Sequence, residues 1–135
     1  MSLTIDSWAW VEVIRGTAAG KVAQGEMEGA DDCYTPAIVL AEVASVLLRG
    51  GIGSANAARE LRGIREASQL VPTDERLALA GARAAEELRD RARERGLPSP
   101  DLADGLILAT ARRTGTQLLT GDSHFAGLPE VCWLA

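Results

Sequence analysis

Apolar residues along the chain fall into short runs separated by longer stretches with helical spacing. Leu3-Thr4-Ile5 is a β-prone run that ends at Asp6, and Ser7 is placed to start a helix through Trp8, Val11 and Ile14. The spacing predicts a second helix from Ala18 to Glu28 and a short strand at Cys33-Tyr34. Thr35-Pro36 then opens a third helix, Thr35 as its cap and Pro36 in the first turn, where a missing N–H costs nothing. That helix runs to Gly50-Gly51, and Ser54 is the expected cap of the next, through Ala58, Leu61 and Ile64. Gln69-Leu70-Val71 reads as a strand stopped by Pro72, with Thr73 as the cap of the longest helix. On that helix Leu77, Gly81, Ala84 and Leu88 share a face, while Arg89, Arg91, Arg93 and Arg95 crowd the far end. Gly96-Leu97-Pro98-Ser99-Pro100 breaks the chain, Ser99 and Pro100 being placed to cap and begin a helix to Gly115. Gln117-Leu118-Leu119-Thr120 is a strand, Gly121-Asp122 a turn, and Val131-Cys132-Trp133 the last strand. Short strands alternating with helices predict an α/β fold, a mostly parallel central sheet flanked by helices, in one domain over residues 1–135.

Composition narrows the class. The chain is 47% hydrophobic with a net charge of only -5, which excludes a disordered polypeptide, and 135 residues suffice for one core without disulfides or structural metal. With aromatics at 4% that core must be aliphatic. Cys33 and Cys132 lie in separate apolar segments and read as buried free thiols. No run approaches the roughly 20 apolar residues of a membrane span, and the N-terminus carries no basic and apolar leader pattern, so a cytoplasmic protein is expected. The acidic balance argues against holding nucleic acid by bulk positive charge, but not against contact mediated by metal ions.

Four acids stand out by position. In a parallel sheet, ligand-binding residues gather beyond the carboxyl ends of the strands, where Asp6 and Asp122 both fall. Glu42 sits two turns into a helix in the apolar run Ile38-Val39-Leu40-Ala41-Glu42-Val43-Ala44, and Asp104 is flanked likewise by Leu102-Ala103 and Gly105-Leu106-Ile107. Taken singly, a strand-end Asp is often only a helix cap, whereas carboxylates inside apolar helix faces need partners. Together the four would repel one another, and at least one would take up a proton, unless cations sit between them. All-oxygen ligands favour a hard ion, Mg²⁺ or Mn²⁺, with only His124 able to supply nitrogen. Such ions activate water and stabilise both the attacking and the leaving oxygen of a phosphodiester. Setting the four acids aside leaves fifteen acidic side chains against fourteen basic ones, so most of the net charge belongs to this set.

The segments Ile5-Asp6-Ser7, Leu40-Ala41-Glu42-Val43, Leu102-Ala103-Asp104-Gly105-Leu106-Ile107-Leu108-Ala109-Thr110-Ala111 and Leu118-Leu119-Thr120-Gly121-Asp122-Ser123-His124-Phe125 resemble a PIN domain, specifically a VapC-type toxin ribonuclease. The resemblance runs from Leu3 to Trp133, with little of it carried between Gly50 and Pro98. It implies a Mg²⁺-dependent endoribonuclease inhibited by a cognate antitoxin and commonly dimeric, the helices after Pro36 and Ser54 offering the dimer surface. By motif position it makes Asp6, Glu42, Asp104 and Asp122 the acidic site, with Asp6 and Asp104 as principal metal ligands and Thr120 as the hydroxyl that orients a ligand or water. Asp101, one helical turn before Asp104, is either a supporting acid or a favourable charge at a helix start. The chain departs from its relatives at Trp8, where a small hydroxyl residue is common, and at His124, where another acid is frequent.

Trp8 and Trp10 lie in a helix after a buried strand and read as packing residues, and the arginines from Arg89 to Arg95 alternate with acids as a solvated, ion-paired face would. The alternative function is a non-catalytic RNA- or protein-binding domain of the same fold, which a broken acidic set would favour. A phosphoacceptor receiver needs an acidic pair at the first strand and a lysine near the last, yet the only lysine here is Lys21.

Overall fold

In the computed structural model, which describes residues 1–135, five short strands build one sheet in the order β3-β2-β1-β4-β5, every pair parallel. In chain order the elements are β1 (Leu3–Ile5), α1 (Ser7–Arg15), α2 (Ala18–Glu28), β2 (Cys33–Pro36), α3 (Ala37–Arg49), α4 (Ser54–Ala67), β3 (Gln69–Val71), α5 (Glu75–Arg95), α6 (Leu102–Thr114), β4 (Gln117–Thr120), a single 3-10 turn (Ser123–Phe125) and β5 (Val131–Trp133). From β1 the chain steps outward to β2 and β3, then returns to the other side of β1 with β4 and β5. The strand order therefore reverses between β1 and β4, the place where parallel sheets open a crevice at their carboxyl ends. Asp6 and Asp122 follow these two strands.

The central strands β1 and β4 are buried almost throughout because helices cover both faces, and their threonines, Thr4 and Thr120, find hydroxyl or carboxylate partners in Thr116 and Asp6. Leu3, Ile5, Leu118 and Leu119 are fully buried, and Val39, Val43, Leu77, Leu88, Ile107 and Leu108 reach them from the helices. Phe125 is the largest fully buried side chain and pins the turn after β4 into this core.

α5 and α6 lie close enough that two glycines are obligatory. A Cβ on Gly105 would sit 2.3 Å from the Gly81 carbonyl oxygen, and one on Gly81 would sit 2.5 Å from Leu106 Cδ2. This contact sets the position of the first turn of α6, and hence of Asp104.

The element boundaries match the hydrophobic pattern, while four of the expected helix starts move. Thr35 and Pro36 both lie within β2: Pro36, expected in the first turn of α3, ends the strand and precedes the helix, and Thr35 does not cap it; the Thr35 hydroxyl is buried, accepting from Trp10 Nε1–H at 3.0 Å and bonding Ser68 Oγ at 2.7 Å. Gly53 rather than Ser54 precedes α4. Asp74 rather than Thr73 caps α5, accepting from the Leu77 N–H at 2.8 Å. Asp101 rather than Ser99 begins α6, which starts after Pro100 rather than at it. Cys33 and Cys132 are free, as expected, but only half-buried.

Candidate active site

Asp6 leaves β1 as the N-terminal cap of α1, so the residue that ends a buried strand also begins a helix. One carboxylate oxygen, Oδ1, accepts the Ser7 N–H at 2.8 Å; the other, Oδ2, accepts the Thr120 hydroxyl at 2.6 Å. The same Thr120 oxygen accepts the Asp122 N–H at 3.0 Å. Thr120 thus ties the last residue of β4 to both acids, across the strand pair where the crevice opens. Asp6 is only 2% exposed.

Glu42 and Asp104 enter from the helices. Glu42 is on the second turn of α3, and its Oε1 is buried without any hydrogen-bond partner. Asp104 is in the first turn of α6, where Oδ2 accepts the Asp101 N–H at 3.0 Å and leaves the other oxygen free. Asp101 itself is exposed and serves as the helix cap.

His124 closes the site. Its Nε2 lies 2.8 Å from the Pro98 carbonyl, which can only accept, so Nε2 carries a proton. Its Nδ1 lies 2.9 Å from Asp122 Oδ1, so the ring and this carboxylate share a hydrogen bond. Burial alone would lower the pKa of the ring, but the hydrogen bonds to Pro98 and Asp122 and the charges of Asp122 and Asp104 raise it. A shift in this direction suits a ring set among acids, and the ring links the turn after β4 to the loop before α6. Two arginines that belong to no ion pair hold the same turn. Arg91 donates to the Ala126 carbonyl at 2.8 Å, and Arg95 to the Ser123 and Ala126 carbonyls at 3.0 and 3.2 Å. Only Arg89 and Arg93 behave as a solvated ion-paired face, with Glu86 and Asp90. Sequence reasoning missed this strap, although Arg91 and Arg95 continue the buried face of Gly81, Ala84 and Leu88.

Mutual repulsion and burial are legible in the acids. Burial, offset in part by the Thr120 hydroxyl and reinforced by the charges of Asp122, Glu42 and Asp104, pushes Asp6 up to about 7. Burial and the charge of Asp104 push Glu42 to about 7, against a pull from the Ser7 hydroxyl. Asp104 rises to about 6, chiefly from burial. Donor atoms of Asp104, Asp122 and His124 lie within 4.8 Å of one another. That spacing, with the unpartnered Glu42 oxygen beside it, suits a hard divalent ion held by carboxylates.

These shifts fix the sign of a pH effect. Between about pH 4 and 7 the folded protein keeps protons on Asp6, Glu42 and Asp104 that the unfolded chain has released, so stability falls as pH rises. The raised His124 acts in the same sense above its unfolded pKa of 6.5. The lowered carboxyls Asp31, Asp74 and Glu87 act oppositely, but only below about pH 4.5. Metal-free protein is therefore expected to melt higher at pH 5.5 than at pH 8, and Asp6→Asn to flatten the profile. Thermal melts in EDTA across this range check it; a melting temperature that climbs with pH would count against the crowded-carboxylate picture.

Trp10 is 5% exposed and packs in the core, as its position suggested. Trp8 also packs, its ring lying against Gly121 so closely that a Cβ there would be 2.5 Å from it, yet it borders the crevice beside Asp122.

Comparison with known proteins places this geometry. The family model described as PIN domain matches residues 3–131. No curated protein matches the sequence. Among solved structures, a sarcin-ricin loop cleaving toxin, VapC20 of Mycobacterium tuberculosis, superposes with TM-score 0.70 at 22% identity, covering 96% of this chain and 98% of that one. A toxin-antitoxin complex from Klebsiella pneumoniae gives TM-score 0.69 at 18% identity over 98% of both chains. VapBC2 of Rickettsia felis, bound to a DNA fragment from its promoter, gives 0.66 at 15% identity over 98% and 97%. At these identities the likeness is one of fold.

Proposed function

Because the chain belongs to the PIN domain family, we propose that it is a divalent-metal-dependent endoribonuclease, the VapC-type toxin of a toxin-antitoxin pair. The observation that carries the reading is the convergence of Asp6, Glu42, Asp104 and Asp122 on one crevice, with a buried Glu42 oxygen left unpartnered. These four carboxylates would hold Mg²⁺ or Mn²⁺. When bound, such ions activate a water and stabilise charge on the oxygens of a phosphodiester.

The chain's own groups hold the carboxylates in place. Thr120 fixes one oxygen of Asp6, the Asp101 N–H one oxygen of Asp104, and the His124 ring one oxygen of Asp122. Each anchor sets the orientation of its carboxylate in advance, so little reorganisation is left for the reaction itself. The raised pKa of His124 favours its protonated form, which would balance part of the negative charge and ease the approach of a phosphate.

Further parts of the reading rest on likeness and surface. The structural neighbours from Klebsiella pneumoniae and Rickettsia felis are toxin-antitoxin proteins, which supports a cognate antitoxin as partner. Leu48, exposed in the last turn of α3, and Ile52, exposed in the loop before α4, support a homodimer through the α3 and α4 face. No helix is long and apolar enough to cross a membrane, in keeping with the cytoplasmic RNA substrate proposed.

The test is cleavage of RNA by the purified chain. Cleavage is expected with Mg²⁺ or Mn²⁺, to stop in EDTA and to return when either ion is added in excess. Activity that persists in EDTA would overturn the metal-dependent mechanism, and an intact RNA under all conditions would overturn the nuclease reading.

A further inference from the structure

Two adjoining clefts border the acidic crevice, and each contains one arginine outside any ion pair. The first, about 370 Å³, contains Ser7, Glu42, Ser45, Arg49 and Asp101. The second, about 300 Å³, contains Ser7, Trp8, Glu12, Arg15 and Asp122. Ser7 and Val46 belong to both, so the clefts adjoin there, one bordering Glu42 and the other Asp122. Glu42, Ser45 and Arg49 lie on one face of α3, placing Arg49 about 10 Å along the helix from the acid. On α1 the same spacing separates Trp8 from Arg15, with Ser7 and Asp6 at the helix start.

Arginine in a last helical turn complements the helix dipole, and this alone would explain a cation at either place. The other last turns argue for more. Arg93 pairs with Asp90, Arg112 with Glu87 and Glu130, and Arg113 with Asp74. Arg95 is engaged with the carbonyls of Ser123 and Ala126. Neither Arg15 nor Arg49 takes part in an ion pair. Glu12, the acid nearest Arg15 in its cleft, accepts instead from the Thr17 hydroxyl. Arg49 spends only Nε, on the Ser45 carbonyl at 3.4 Å, and keeps its terminal nitrogens free. Arg65, the remaining unpaired last-turn arginine, lies in neither cleft.

We infer that Arg15 and Arg49 bind backbone phosphates of a single RNA strand seated over the carboxylates, one arginine from each cleft. The inference rests on the proposed nuclease reading and names the residues that would seat its substrate. A strand passing over four acids is repelled there, and cations in the bordering clefts offset that repulsion without occupying the site itself. Asp6 is recessed between α1 and β4, which favours a flexible strand that can bend into the crevice over a stiff duplex. Phosphate contacts carry no base preference, so the two arginines set affinity and register rather than sequence choice.

The test uses the intact protein and a fluorescein-labelled single-stranded RNA in Ca²⁺, with affinity read by anisotropy across a series of KCl concentrations. Arg15→Ala and Arg49→Ala are each expected to weaken binding about five- to tenfold and to reduce the slope of log affinity against log salt by about 0.7, additively in the double variant. Arg→Lys at either position should restore most of the slope, and Arg65→Ala should leave it unchanged. A helix-dipole role alone would lower the melting temperature without moving the slope, so melts are recorded for every variant. Unchanged slopes in folded variants, or no binding by the parent, would overturn the inference. Cleavage of the same strand in Mg²⁺ is scored separately: a parent that binds with the expected slopes but never cuts would sink the nuclease reading and leave the strand path standing.

Discussion

Asp104→Asn is expected to lower RNA cleavage by about a thousandfold or more while the protein stays folded. The substitution removes a charge and almost no volume. One Asp104 oxygen accepts the Asp101 N–H at the start of α6, and the asparagine oxygen can take over that role, so the helix keeps its cap. The second position changes from a free carboxylate oxygen to an NH₂ donor facing Asp122 and His124, which neither attracts a cation nor ligates one. The parent side chain has its pKa raised to about 6 by burial and by Asp122, so removing its charge also relieves strain in the metal-free protein. The melting temperature in EDTA should therefore equal or exceed the parent's, and the gain on adding Mg²⁺ should shrink. Single-turnover cleavage and melts with and without Mg²⁺ measure both effects. Parent-level activity would remove Asp104 from the proposed site.

The two halves of the site were unequally legible in the sequence, for a physical reason. Asp6 and Asp122 are local features: each follows an apolar run of strand length, and parallel strands deliver their following residues to the same edge. Glu42 and Asp104 stand out because a carboxylate in an apolar helix face needs an explanation. What holds these acids could not be read, because it depends on tertiary contacts. His124 meets Pro98, 26 residues away, and the Thr120 hydroxyl meets Asp6 across 114 residues of chain. The helix caps failed in the same way. Thr35 has the right chemistry to cap α3, but the indole of Trp10 and the hydroxyl of Ser68 claim its side chain. At α5 the choice between Thr73 and Asp74 turns on which residue is extended as the chain joins the helix, and composition does not distinguish them. Arg91 and Arg95 were open to a better reading, since the spacing of Gly81, Ala84 and Leu88 already carries the buried face to them.

Gly105→Ala tests the link between packing and site, and it is expected both to destabilise the fold and to damage activity. The added Cβ would lie 2.3 Å from the Gly81 carbonyl oxygen, 2.6 Å from the Ala85 nitrogen and 2.7 Å from the Ala85 Cβ. Two of these atoms are backbone, so no side-chain rotation relieves the clash and α6 must move off α5. Overpacking of this kind costs about 1–3 kcal/mol or more, against a helix-propensity gain of up to about 1 kcal/mol for replacing glycine. A fall of about 5–10 °C in melting temperature is expected if the clash exceeds the gain by about 2 kcal/mol. Because Asp104 immediately precedes Gly105, the same shift displaces a proposed ligand, and a displacement of about 1 Å can cost on the order of a hundredfold in rate. Gly25→Ala in α2 is the matched control. Gly25 is also a mid-helix glycine, but a Cβ added there would meet nothing within 4 Å, so the propensity gain acts alone and the melting temperature should hold or rise. The two glycines look alike in the sequence and should respond with opposite signs. If Gly105→Ala melts at or above the parent, the α5–α6 contact does not position Asp104; a loss of activity without a loss of stability would instead mean that α6 yields locally at the first turn, where the ligand sits.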